Sequence, residues 1–256
     1  MTNMNSLYTE NNKNFIIYHK LNSSEKKAPS IIFHHGLMSS MNGSKALYLE
    51  KYCQKRNYNF IRFDNFGHGQ SSGRFVDQNI STWLEGLNLV IKELTNGPVL
   101  LIGSSMGGWI TMLKAIESPE IVRGIICISA APDFTEELIW DKITTEQKTK
   151  LLNGQSIDIK GDDPNCSHSY PISNQLIVDG RRHLLLNKER INITCPVHLI
   201  HGMQDTGVPY EIAERIMSRM DNTKTVLKLI KDGSHALSRE EDMQVICDSI
   251  EELLVS

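Results

Sequence analysis

Three short stretches of the chain carry residue types that together perform nucleophilic acyl chemistry. Gly103-Ser104-Ser105-Met106-Gly107 follows the pattern Gly-x-Ser-x-Gly, which places a serine between small residues two positions away on either side. The pattern alone is weak evidence. With 17 glycines in 256 residues, accident produces it in roughly one such chain in ten, and Gly69-Gln70-Ser71-Ser72-Gly73 matches as well. Context separates the two. Ser105 directly follows the apolar run Pro98–Ser104 and directly precedes a helical pattern, so it falls on a sharp strand-to-helix turn where bulky neighbours collide. Ser71 precedes no helical period and reads as a turn residue in a glycine-rich loop.

A serine hydroxyl near neutral pH is a poor nucleophile and needs a base within hydrogen-bond reach. On sheets that present such a turn, the chain order is Ser, then an acid, then His. Five histidines follow Ser105: His168, His183, His198, His201 and His235. His168 and His183 fall in a polar middle segment, and His198 and His201 read as packing or sheet-edge residues of a strand. His235, in Asp232-Gly233-Ser234-His235, stands in a tight loop between a strand and the last helical pattern, which suits a base. The acid is then Asp205, in the loop after Val197–His201; Asp232 is its rival and reads as a turn former. For the oxyanion, one donor is the backbone N–H of Met106. The second is the N–H of Leu37, in His34-His35-Gly36-Leu37, where Gly36 lets the backbone turn in closely. Adjacent strand residues point to opposite faces, so His34 and His35 read as structural polar contacts rather than a metal pair.

These residues need a scaffold, and the apolar runs supply one. Strands are expected at Phe15–Tyr18, Ser30–His34, Asn59–Asp64, Pro98–Ser104, Ile121–Ala130, Val197–His201 and Thr225–Ile230. Helices are expected at Lys45–Lys55, Ser81–Leu94, Met106–Ser118, Pro209–Met220 and Arg239–Leu254. Several strands are unbroken apolar runs, as in strands covered on both faces. The alternation predicts an α/β fold with a mostly parallel central sheet and helices on both faces. From about 132 to 192 the alternation stops and polarity rises. Only two weak helical patterns (Glu136–Lys142 and Glu146–Leu152) and Gly161-Asp162-Asp163-Pro164-Asn165 stand out there. The expectation is one domain over 1–256 with a small inserted cap at approximately 132–192. Leu138, Trp140 and Tyr170 are its candidate substrate contacts, and seating the cap on the sheet is an equal reading for them.

Composition excludes other classes. Lys plus Arg number 27 against 30 Asp plus Glu, for a net charge of −3, which argues against a nucleic-acid partner. No run approaches the ~20 apolar residues of a membrane span. Five scattered cysteines show neither Cys-x-x-Cys pairs nor zinc spacing and read as reduced thiols. The polar N-terminus (1–12) lacks the features of a secretory or transit signal, so the expected compartment is cytoplasmic. No metal or cofactor is called for, and the oligomeric state is not encoded in any pattern.

The chain resembles the α/β-hydrolase superfamily over nearly its whole length. Within it, the chain is most similar to the branch of mitochondrial palmitoyl-protein thioesterases also described as acyl-glucuronide esterases of mycophenolic acid. Met41-Asn42-Gly43-Ser44-Lys45-Ala46-Leu47, Ile61-Arg62-Phe63-Asp64, Gly103 to Trp109, and His201-Gly202-Met203-Gln204-Asp205 with Val208-Pro209 carry the resemblance. It implies Ser105, Asp205 and His235 as nucleophile, acid and base of a serine esterase or thioesterase, with depalmitoylation as one activity. The likeness is poorest in the cap. Three alternatives stay open: a short-chain carboxylesterase or lipase; a serine aminopeptidase with Glu136, Glu137 or Asp141 anchoring an amine; and a non-catalytic binding protein on the same fold.

Overall fold

The computed structural model describes residues 4–11, 13–24, 29–160 and 169–255. The Gly161–Asn165 stretch, Cys166 and His168 lie outside them. In chain order the main elements are β1 (Asn5–Tyr8), β2 (Phe15–Leu21), β3 (Ser30–His34), α1 (Ser44–Arg56), β4 (Asn59–Phe63), α2 (Ile80–Leu94), β5 (Val99–Ser104), α3 (Met106–Glu117) and β6 (Val122–Ile128). Then come α4 (Thr145–Leu152), β7 (Ile157–Lys160), β8 (Ser169–Ile172), α5 (Asn174–Gly180), β9 (Val197–Gly202), α6 (Glu211–Arg219), β10 (Thr225–Ile230) and α7 (Glu240–Leu254).

Eight strands form one sheet in the order β1-β2-β4-β3-β5-β6-β9-β10. β1 and β2 run antiparallel at one edge, and every pairing from β4 onward is parallel. Because side chains alternate across a strand, one strand feeds two cores. Val99 and Leu101 of β5 join a core with Trp83 of α2 and Trp109 and Ile110 of α3. Leu100 and Ile102 join a second with Leu49 and Cys53 of α1 and Ile246 and Ile250 of α7. All six residues of β5 are buried, which explains its unbroken apolar run. Local signals set helix ends. Asn79 and Thr82 form a reciprocal capping box at the start of α2. α1 stops at Asn57, whose φ of 57° is left-handed, with its N–H returned to Cys53 O.

Between β6 and β9 the chain leaves this sheet. It makes a π-helical turn at Thr135–Trp140, α4, the antiparallel pair β7–β8, α5 and a 3₁₀ turn at Arg181–His183. The helical pattern at Glu136–Lys142 is thus a π turn rather than an α-helix. Its Asp141 N–H reaches back five residues to the Glu136 carbonyl. Parallel β3, β5, β9 and β10 all end at the same sheet edge, which brings their following loops together there.

Candidate active site

Ser105 sits between β5 and α3 with φ 54° and ψ −118°. This is a strained conformation for a residue with a Cβ, costing on the order of 1–3 kcal/mol. Surrounding bonds hold it: its N–H donates to Ile128 O at 2.8 Å, and its carbonyl accepts from Gly108 N–H at 2.9 Å and Ala131 N–H at 3.1 Å. The flanking glycines have a steric reason. A Cβ on Gly103 would lie 2.2 Å from Gly107 O, and one on Gly107 would lie 2.3 Å from His34 O. The other matching serine is committed elsewhere. Ser71 Oγ donates to Asp64 O at 2.5 Å and accepts from Ile17 N–H at 2.8 Å, which fastens its loop to β2.

The loop after β9 presents Asp205 to the loop after β10. His235 Nδ1–H donates to Asp205 Oδ2 at 2.6 Å, while Asp205 Oδ1 accepts from Gly207 N–H at 3.0 Å and Val208 N–H at 2.8 Å. His201 adds a contact outside the expected Ser–Asp–His set. Its Nε2 faces the Val208 carbonyl at 2.9 Å, which can only accept, so Nε2 carries the proton; the same N–H lies 3.2 Å from Asp205 Oδ2. Burial alone would raise the Asp205 pKa. The hydrogen bonds from His201, His235 and Val208 outweigh it and hold the carboxyl well below the usual range. Asp232, the rival acid, is instead paired with Arg239 at 2.7 Å and 3.1 Å.

The loop after β3 packs against the serine turn: a Cβ on Gly36 would be 3.2 Å from Ser105 Cβ. Three buried histidines set this loop. His34 Nδ1 faces His35 O at 2.9 Å, His35 Nδ1 faces Gly36 O at 2.8 Å, and His68 Nδ1 faces Phe66 O at 3.1 Å. Each Nδ1 therefore carries hydrogen, which leaves Nε2 as an acceptor. His34 Nε2 takes the Asn65 side-chain amide at 2.8 Å, His35 Nε2 the Asn65 N–H at 3.1 Å, and His68 Nε2 the Met38 N–H at 3.2 Å. Burial is the main cause of a lowered pKa in all three, with neighbouring charge adding to it for His34 and His68; the His34 imidazole is pushed down to about 3. All three are neutral scaffold rings. Among the described residues, the N–H groups of Leu37 and Met106 donate to no protein acceptor, so both stay available.

Ser105, His235, Gly36, Leu37 and His35 line one cavity of about 200 Å³, together with Ser39, Ser40, Ser44 and Lys45. The candidate substrate contacts are not on that wall. Leu138, Trp140 and Tyr170 are half-buried against the main core. Trp140 lies between Lys148 and Arg181, at 5.1 Å and 4.7 Å from its ring, and Tyr170 meets Phe75 edge-on at 6.4 Å. Glu136 is held by Arg181 at 2.6 Å and 3.1 Å, and Glu137 by Arg215 at 2.7 Å on both oxygens. Among the described residues no cluster of His, Cys, Asp or Glu has the makings of a metal site.

A serine on a strained turn at the carboxyl edge of a mostly parallel sheet, with an Asp–His pair on neighbouring loops, is the arrangement of an α/β-hydrolase. The chain belongs to that superfamily, in the family described as serine aminopeptidase, S33, which matches residues 25–242. It is 31% identical over 233 residues to the mitochondrial palmitoyl-protein thioesterase ABHD10 of Bos taurus, spanning 89% of this chain and 74% of that protein. A solved putative hydrolase from Agrobacterium vitis S4 superposes with a TM-score of 0.91 at 29% identity, covering 99% of this chain and 98% of the other. The alpha/beta hydrolase domain-containing protein 10 from mouse gives 0.87 at 28% identity, covering 98% of both chains.

Proposed function

We propose that the protein is a serine hydrolase that cleaves acyl esters or thioesters through an acyl-enzyme. The observation that carries this is the convergence on one cavity wall of Ser105, held at φ 54°, and His235, whose Nδ1–H is bound to Asp205 at 2.6 Å. With Nδ1 protonated, His235 Nε2 is free to accept the Ser105 proton as Oγ attacks the acyl carbon. The C–Oγ bond forms, and the carbonyl electrons move onto oxygen, to which the N–H groups of Leu37 and Met106 donate hydrogen bonds. Each such donor is worth about 3 kcal/mol of barrier. The carbonyl re-forms, the bond to the alcohol or thiol breaks, and His235 hands that group its proton. A water deprotonated by His235 then attacks the acyl-enzyme, the acyl–Oγ bond breaks, and His235 returns the proton to Ser105 Oγ as the acid leaves. Asp205 fixes the imidazole tautomer and stabilises the imidazolium.

In this reading, residues 132–192 act as a cap that shapes the acyl site. Similarity to the ABHD10 thioesterases favours a long-chain thioester, and with it an acylated protein as one substrate. The aminopeptidase alternative is disfavoured because two of its candidate amine anchors, Glu136 and Glu137, are already neutralised by arginines. Cys53, Cys127, Cys195 and Cys247 are buried free thiols, which fits a reducing compartment such as the cytoplasm. Among the described residues no helix is long and apolar enough to cross a membrane.

The test is a chain-length series of nitrophenyl esters and the matching acyl thioesters, with Ser105→Ala alongside. Turnover abolished by the substitution supports the reading, and the series fixes acyl length and ester against thioester preference. Undiminished turnover in Ser105→Ala refutes it.

A further inference from the structure

The catalytic cavity contains a cation that the hydrolytic mechanism does not use. Lys45, the second residue of α1, lines the same wall as Ser105 and His235. Its ammonium donates to the carbonyl of Ala236, the residue that follows His235. Among the described residues it has no ion-pair partner. The nearby carboxylate of Asp242 is committed to Arg239 at 3.0 Å and 2.8 Å, and the first turn of α1 holds no acidic residue. Around Lys45 the wall continues with the hydroxyl-bearing Ser39, Ser40 and Ser44. The turn that leads into α1 is rigidly placed. Arg62, bound to Glu50 at 3.0 Å and 3.1 Å, also donates to Met41 O at 3.1 Å and Asn42 Oδ1 at 2.9 Å. A half-buried ammonium is costly to desolvate, and an anion of opposite charge is the ligand that offsets the cost.

Direction follows from the chemistry. His235 protonates the departing atom, so the leaving group lies on the imidazole side of Ser105, and Lys45 is tied to the residue next to that imidazole. Resting on the acyl-hydrolase reading above, we propose that Lys45 selects substrates whose leaving alcohol or thiol carries an anionic group, a carboxylate or a phosphate, within a few bonds of the departing atom. Burial lowers the Lys45 pKa to about 8, against the opposing field of Asp242, so the receptor is charged at neutral pH and loses its charge in mild alkali.

The experiment compares kcat/KM for the butyryl esters of 4-nitrophenol and 3-carboxy-4-nitrophenol. Monobutyrin and its glycerol-phosphate counterpart form a second pair, which distinguishes phosphate from carboxylate. The expected result is a preference for the anionic member of at least one pair. That preference should fall about tenfold in Lys45→Met, be retained largely in Lys45→Arg, and decline from pH 7 to pH 9. The ratio within a pair cancels any general effect of the substitution or of pH on groups that both esters share, His235 and His35 on the same wall and the nearby Asp242 included. An anionic-to-neutral ratio unchanged by Lys45→Met, or a wild-type preference for the neutral esters, overturns the proposal. Absence of turnover on every ester overturns the hydrolase reading instead.

Discussion

Replacing Asp205 by asparagine reverses a proton rather than removing a contact. Asp205 Oδ1 is held by the N–H groups of Gly207 and Val208 at 3.0 Å and 2.8 Å, so in Asp205→Asn the amide oxygen must occupy that position. The NH₂ then faces His235 Nδ1 and His201 Nε2, where Oδ2 stood at 2.6 Å and 3.2 Å. An NH₂ can only donate, so His235 has to accept at Nδ1 and carry its hydrogen at Nε2. The nitrogen that should take the Ser105 proton is blocked. A wrong tautomer at this position costs about 10⁴-fold in kcat, while KM stays near the wild-type value because no substrate contact changes. The new NH₂ also opposes the His201 N–H, which keeps the Val208 carbonyl as its acceptor, and the one amide hydrogen left without an acceptor costs about 1–3 kcal/mol of stability. Steady-state hydrolysis of 4-nitrophenyl butyrate, with urea unfolding of the same samples, measures both. A loss of kcat below about 100-fold in folded Asp205→Asn protein would refute the tautomer argument.

Further expectations concern the buried histidines. His34, His35 and His68 have folded pKa values lowered by burial, against about 6.5 in the unfolded chain. Below that value the unfolded state binds more protons, so stability is complete above about pH 7 and falls as pH drops below 6.5; for His34, lowered to about 3, the slope is about 1.4 kcal/mol per pH unit. Unfolding free energies from urea titrations at pH 7.5 and pH 5 should differ by about 2 kcal/mol from His34 alone, and equal values would contradict the assignment. His68→Ala removes the acceptor of the Met38 N–H and should lower kcat about tenfold through a loosened oxyanion loop, with KM nearly constant. His68→Gln should recover part of the loss. Unchanged kcat in well-folded His68→Ala would detach that ring from the loop's function.

Legibility in the sequence followed burial. β5, β6 and β9 are covered on both faces and announce themselves as apolar runs. The glycines of the serine turn are demanded by backbone contacts within it and with the neighbouring strand. β1 was not legible because it is an exposed antiparallel edge strand, with no hydrophobic pattern to imprint. β7, β8 and α5 were missed for a related reason. They are short, and the strands lie mostly at the surface, so tertiary contacts rather than periodicity define them. His201 reads as a packing or sheet-edge residue, yet it donates toward Asp205 from the next-to-last position of its strand. The four-residue spacing to Asp205 was the available signal. Lys45 carried no such signal, because its place on the cavity wall depends on the approach of α1 to the loop after β10.

Intact mass after treatment with a fluorophosphonate reads the Ser105 nucleophile directly. One covalent adduct is expected on the wild-type chain, none on Ser105→Ala, and a retained adduct on Ser71→Ala. An unlabelled wild-type protein, or a labelled Ser105→Ala, would contradict that assignment.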